Sequence, residues 1–157
     1  MTILTRTTST PIGQLRLVAS LTGLQAVLWP GSERPDGARE GDSSILTETA
    51  RQLDEYFAGA RTAFSLPLEL DGTPFQREAW LALADIPYGQ TVSYAEQARR
   101  LGRPDAVRAV GAANGRNPVP IVLPCHRVIG SDGSLTGFGG GLGVKRALLQ
   151  HEGALLF

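Results

Sequence analysis

Asn117-Pro118-Val119-Pro120-Ile121-Val122-Leu123-Pro124-Cys125-His126-Arg127-Val128 holds the only cysteine of the chain, beside one of its two histidines. Apolar residues run into Cys125 (Val119, Ile121, Val122, Leu123) and out again (Val128, Ile129). A thiolate is the attacking form of cysteine, and a neighbouring base is one way to generate it at neutral pH. A lone cysteine packs in a core more often than it reacts, so the surrounding sequence has to decide. Successive residues of an extended segment point to opposite faces. Cys125 and His126 therefore meet only if the backbone turns, and otherwise a water must carry a proton between them. A direct thiolate–imidazolium pair is disfavoured. His126 needs an orienting group on its far nitrogen, for which Glu152 is the candidate acid. Asn117 can hold the loop by bonding its backbone.

Ahead of this stretch, Thr73-Pro74-Phe75-Gln76 reads as a cap, a first-turn proline and a capping-box glutamine. The helix they open carries Phe75, Ala79, Trp80 and Leu83 on one face and ends before Pro87-Tyr88-Gly89. Ser93-Tyr94-Ala95-Glu96 is a second capping box, and its helix runs through Leu101 to stop at Gly102. Pro104 restarts a helix over about 105–114. Two short helices joined by a glycine turn make a helix-turn-helix candidate. Between Arg99 and Arg127 stand six arginines (99, 100, 103, 108, 116 and 127) against Asp105 alone, a net of +5. The planar guanidinium suits phosphate oxygens, although a charge run is more often a solvated helix face. Ala109, Gly111, Ala112 and Ala113 would let the second helix approach a groove wall closely.

Beyond the cysteine, Ser131-Asp132-Gly133-Ser134 reads as the turn of a short hairpin between Val128-Ile129 and Leu135-Thr136. The glycine-rich run 137–143 lacks phosphate-loop spacing and reads instead as a flexible wall or lid carrying Phe138. A last helix spans about 144–152, with Glu152 in its final turn, where the helix dipole disfavours an acid. A charge so placed points to a partner.

Residues 2–29 read as strands, with turns at Pro11-Ile12-Gly13 and Leu21-Thr22-Gly23. Residues 30–42 read as a mobile polar loop. Leu46, Ala50, Leu53 and Phe57 repeat at helical spacing after a Ser43 or Ser44 cap. Phe64, Leu66, Leu68 and Leu70 alternate as in a half-buried strand. The expected domains are 1–72, a scaffold without chemistry, and 73–157.

Apolar residues make up 42% of the 157, enough for a packed core, and the net charge is zero. From Glu33 to Glu78, ten acidic residues stand against five basic ones, so the two halves differ in sign. One cysteine excludes an internal disulfide and a multi-cysteine zinc site. Neither a signal-peptide core nor a membrane-length apolar run is present, and a cytoplasmic location is expected.

Pro-Cys-His-Arg-Val, preceded by Asn117-Pro118-Val119-Pro120 and followed by the glycine-rich turn and His151-Glu152-Gly153, resembles the 6-O-alkylguanine-DNA alkyltransferases, or methylated-DNA–protein-cysteine methyltransferases. Ile86-Pro87-Tyr88-Gly89, Val92-Ser93-Tyr94, Ala109-Val110-Gly111 and Ala113-Asn114-Gly115 extend the likeness over roughly residues 73–153. It implies an α+β fold, with a small ribonuclease-H-like sheet-plus-helix domain ahead of a winged helix-turn-helix alkyltransferase domain.

The resemblance also implies DNA repair by direct damage reversal. Double-stranded DNA is bound through its minor groove and an alkylated guanine, or alkylated thymine, is flipped into a pocket. The alkyl group then passes irreversibly to Cys125, once per molecule. His126 corresponds to the base acting through water, Glu152 to its orienting acid and Asn117 to the loop-stabilising amide. Tyr94 helps rotate the nucleotide and offers its phenol to the base, backbone groups near Val128 read the exocyclic amine, and Phe138-Gly139 close over it. Arg108 fills the vacated stack, with Ser93, Ala109, Ala113 and Arg116 also on the DNA side. No cofactor is implied. No metal is expected either, since the first half has none of the cysteines and histidines that zinc-bearing relatives use. A monomer without membrane contact is expected.

Departures from the family pattern fall at Phe138 (commonly tyrosine), Gly139 (commonly serine or alanine), Ala95 and Gln97. The rival readings are a non-catalytic DNA-binding damage sensor or regulator, which needs an inert Cys125, and a cysteine hydrolase, which turns over.

Overall fold

The computed structural model describes residues 1–155, which form two compact units, the first Met1–Asp71 and the second beginning at Gly72. In the first, β1 (Ile3–Thr10), β2 (Gly13–Ala19), β3 (Leu24–Leu28) and β4 (Ala38–Glu40) build a sheet of order β3-β2-β1-β4. Neighbours are antiparallel except β1 and β4, which run parallel. Helix α1 (Ser44–Phe57) starts where the Ser43 hydroxyl accepts from the Leu46 N–H. It packs on the sheet with Leu46, Leu53 and Tyr56 wholly buried, each such side chain contributing about 1.5–3 kcal/mol.

Two expectations fail here. The polar loop 30–42 contains β4, because buried Ala38 and a 2.8 Å ion pair from Arg16 of β2 to Glu40 secure it at the sheet edge beside β1. Conversely, the alternating run 64–70 is no regular strand. It makes a single bridge, Leu68 to Leu24, since Pro67 has no N–H to continue a ladder.

The second unit opens with α2 (Pro74–Ala82), whose Thr73/Gln76 capping box forms as expected, and a 3-10 turn over Leu83–Asp85 extends it. Strand β5 (Val92–Ser93) leads into α3 (Tyr94–Arg100). The Ser93 hydroxyl caps α3 by accepting from the Glu96 N–H at 3.0 Å. The Glu96 carboxylate, expected to complete the box, instead takes Arg99 and Arg100, which hold its pKa down to about 2. Gly102, at φ +73°, ends α3, with Arg103 N–H reaching back to the Ala98 carbonyl. Helix α4 (Val107–Gly115) begins two residues later than expected, behind a turn closed by Ala106 and Arg103. The α3–α4 pair is the expected helix-turn-helix. A 3-10 turn over Cys125–Arg127, β6 (Val128–Ile129) and α5 (Leu142–His151) complete the unit.

The hairpin expected after Val128 is not formed. β6 pairs in parallel with β5, Val92 to Val128 and Ser93 to Ile129. The turn at 131–134 does close, from Gly130 N–H to the Ser134 carbonyl at 2.9 Å. The Thr136 carbonyl, which a ladder would use, accepts from Lys145 and Tyr94 instead. No helix among the described residues is long and apolar enough to cross a membrane.

Candidate active site

The backbone does turn at the cysteine. Pro118, Pro120 and Pro124 remove three ladder donors, and the loop closes on itself through Leu123 N–H to the Val119 carbonyl at 3.0 Å. Asn117 laces it from within. Its Nδ2 donates to the Leu123 carbonyl at 2.8 Å, and its Oδ1 accepts from the Val119 N–H at 3.0 Å. Between these contacts Ile121 sits at φ +73°, a conformation that β-branched residues avoid. The loop delivers Cys125 to the start of the 3-10 turn with only 6% exposure.

Burial pushes the Cys125 thiol pKa up, against a hydrogen bond from Asn117 and the nearby Lys145 cation, which pull it down. The resting sulfur is a thiol, and a proton must leave before it can attack. His126 is fully buried, and its Nε2 lies 2.8 Å from Glu152 Oε2. Burial lowers its pKa more than Glu152 raises it, with Arg127 and Lys145 lowering it further. A neutral ring donating Nε2–H to a carboxylate leaves its lone pair on Nδ1. That atom is buried and has no partner among the described residues.

The acid at the end of α5 thus has the partner its position called for, and a second one. Arg127 donates Nε to Glu152 Oε1 at 2.8 Å and Nη2 to Oε2 at 3.0 Å, while Nη1 reaches the Ile86 carbonyl at 2.6 Å. Gly89, at φ +81°, passes so close that a Cβ there would come 3.2 Å from the Glu152 carbonyl.

On the other side of the turn, Lys145 is wholly buried. Its Nζ donates to the Val128 carbonyl at 2.7 Å and to that of Thr136 at 2.9 Å, and approaches the Tyr94 hydroxyl at 3.5 Å. The same ammonium stands 5.7 Å from the Tyr94 ring centre and 5.9 Å from that of Phe138. Burial depresses its pKa, which the Cys125 sulfur partly offsets. Tyr94, Val128 and Phe138 are therefore gathered around one cation, and exposed Gly139 follows at the rim. Sequence reasoning missed both Arg127 and Lys145 as site residues. Lys145, Leu148, Leu149 and Glu152 follow helical spacing and are all buried, so one face of α5 carried the signal for the lysine.

The arginine cluster divides. Arg99 and Arg100 pair with Glu96, and Arg103 lies 3.6 Å from Glu78 and over the Phe75 ring. Arg127, counted among the phosphate-seeking six, is interior. Arg108 and Arg116, with Ala109 and Ala112, form the exposed side of α4, and neither arginine makes an ion pair among the described residues. Ala113 is corrected too. It is buried, and its carbonyl accepts from the Trp80 indole at 2.6 Å, so it faces the core and not a groove. Among the described residues no cluster of His, Cys, Asp or Glu stands ready for a metal ion.

Residues 74–154 match the model of the 6-O-methylguanine DNA methyltransferase DNA-binding domain, and residues 3–70 that of its ribonuclease-like domain. A Mycobacterium leprae protein named methylated-DNA–protein-cysteine methyltransferase is 47% identical over 153 residues, covering 94% of this chain and 90% of its own. One of the same name from Methanosarcina acetivorans is 45% identical over 148 residues, with 92% and 94% covered. Among solved structures, Mycobacterium tuberculosis OGT in complex with DNA superposes with a TM-score of 0.89 at 45% identity, covering 96% of this chain and 92% of that one.

Proposed function

The chain belongs to the 6-O-methylguanine DNA methyltransferase family, and on that premise we propose that it repairs DNA by moving an alkyl group from a damaged base onto Cys125. The observation that carries the assignment is the buried group beside the only cysteine: a His126 Nε2 that lies 2.8 Å from Glu152 Oε2, with its Nδ1 unpartnered among the described residues.

The thiol proton passes through a water to His126 Nδ1. The sulfur then attacks the carbon attached to O6 of guanine. A sulfur–carbon bond forms and the carbon–O6 bond breaks, its electron pair remaining with the base. The proton returns from the imidazolium to the purine, which leaves as ordinary guanine. Nothing is oxidised or reduced, and the thioether cannot be reversed, so each molecule acts once. The burial that keeps the resting thiol protonated also excludes water from the attacked carbon.

Alkylated guanine in duplex DNA is the substrate. The base swings out of the stack into the space beside Tyr94 and Phe138. Tyr94 offers its hydroxyl to the base. The Val128 carbonyl keeps a second lone pair, besides the one Lys145 uses, for the exocyclic amine. Gly139 leaves only backbone to meet the released oxygen, and Phe138 closes over the ring. Arg108 enters the vacated stack, while Ala109 permits close approach and Arg116 meets phosphate. Ser93 supports the motif by capping α3. The protein works as a monomer and without a cofactor.

The test is to incubate the protein with duplex DNA carrying 6-O-methylguanine and weigh it. One methyl group per molecule, on Cys125, is expected, with none on Cys125→Ser while DNA binding persists. Tight binding without mass gain would mark a sensor, and turnover past stoichiometry a hydrolase.

A further inference from the structure

The relay contains a buried charge that the reaction as written does not use. Arg127 has left solvent, which is costly for a guanidinium, and each of its three nitrogens donates to an acceptor: both oxygens of Glu152 and the Ile86 carbonyl. Glu152 Oε2 accepts from Arg127 Nη2 at 3.0 Å and lies 2.8 Å from His126 Nε2. Glu152 is itself 6% exposed and caps the C-terminal end of α5, where burial and the helix dipole both disfavour a negative charge.

Donor and acceptor counting fixes what these contacts allow. A protonated Glu152 would carry an O–H on one oxygen. On Oε1 that hydrogen would oppose Arg127 Nε–H. On Oε2 it would be offered to His126 Nε2, and the imidazole proton would then sit on Nδ1, the atom needed as a lone pair. An ionised Glu152 accepts all three bonds and obliges Nε2 to carry the hydrogen. We infer that Arg127 is a positioning residue of the transfer: by keeping Glu152 an acceptor only, it selects the Nε2–H form of His126 and so leaves Nδ1 free to take the thiol proton. The inference rests on the reading of His126 as proton acceptor given above. Besides Glu152 and Arg127, the charged group acting on the ring is Lys145 on α5; Cys125 precedes it on the same turn, and Tyr88 stands against Arg127, its ring centre 5.7 Å from the guanidinium carbon.

Two variants, Arg127→Met and Arg127→Lys, test it with two readouts. The first is the nitrogen NMR pattern of the imidazoles in histidine-labelled protein, with His126→Asn to separate His126 from His151. Wild type is expected in the Nε2–H form, and Arg127→Met in a mixture or in the Nδ1–H form. The second is the pH profile of the single-turnover rate. Without Arg127, either Glu152 takes up a proton or its undiluted charge makes His126 more basic. Both move the ascending limb to higher pH, by about one unit, with about tenfold slower transfer on the acid side of the profile and recovery in alkali. Arg127→Lys, which keeps the charge but not the two-pronged contact, should shift less in the same direction, and it decides the matter if the methionine variant does not fold. Wild type in the Nδ1–H form, or folded variants with unmoved tautomer and pH profile, would overturn the inference. If wild type accepts no alkyl group at all, the assigned reaction fails, while the tautomer measurement still judges Arg127.

Discussion

Gln97 and Asn114 exchange two hydrogen bonds in the interior of the helix-turn-helix. Asn114 Nδ2 donates to Gln97 Oε1 at 2.8 Å, and Gln97 Nε2 donates to Asn114 Oδ1 at 3.2 Å. Gln97 is 3% and Asn114 8% exposed. The pair joins α3 to α4 with directional contacts, which apolar side chains would not supply. Gln97→Leu or Asn114→Leu alone strands the other amide and should cost about 1–3 kcal/mol. The double variant should cost well under the sum of the two. Urea denaturation of all four proteins checks this, and simple additivity would mean the amides do not act as a unit.

Asn117→Ala removes two bonds that hold the strained loop and a third that favours the thiolate. A stability loss of about 2 kcal/mol is expected, with slower transfer at every pH. The two effects are separated by measuring single-turnover rates well below the melting temperature. A variant as stable as wild type would show that the Ile121 geometry needs no support from this amide.

Stability should fall on mild acidification because of His126. Burial holds its folded pKa below the ordinary 6.5, so the unfolded chain binds the proton more readily. Its contribution is complete above about 6.5 and is lost as pH drops through that value toward the folded pKa. The melting temperature of wild type minus that of His126→Asn should therefore decline below about pH 6.5. A flat difference curve would argue against a buried neutral imidazole.

Salt should report which arginines meet phosphate. Arg108→Ala and Arg116→Ala should each reduce the slope of log affinity against log salt by about 0.9 on duplex DNA. Arg99→Ala and Arg100→Ala, whose charges Glu96 already takes up, should change it less. Arg108→Ala should also slow repair of duplex DNA more than reaction with free 6-O-methylguanine. Equal losses on both substrates would count against its place in the base stack.

Much of this was legible in the residues because the signals were local. Thr73/Gln76, Ser43 and Gly102 set helix ends by contacts within a turn. Glu152 betrayed a partner by standing at the wrong end of its helix. What stayed hidden depended on contacts distant in sequence. Nothing near Val128 announces a parallel pairing with Val92, and alternation at 64–70 could not reveal that Pro67 would stop the ladder. Arg127 looked like one more surface cation because its acceptors lie 25 and 41 residues away. Lys145 needed the same long reach to be recognised as interior.

The short ladder of β5 and β6 joins Ser93, the first point of the DNA-reading motif, to Ile129, four residues past the sulfur. The start of α3 and the turn that carries Cys125 are thereby tied together through neighbouring backbone. On the proposed function, a duplex seated on α4 would itself have to supply the distortion that brings a base to the sulfur. Lesions that weaken their own base pair would meet that demand most cheaply and sound pairs would resist it, so on the proposed function discrimination would begin in the mechanics of the nucleic acid before any group in the pocket is consulted.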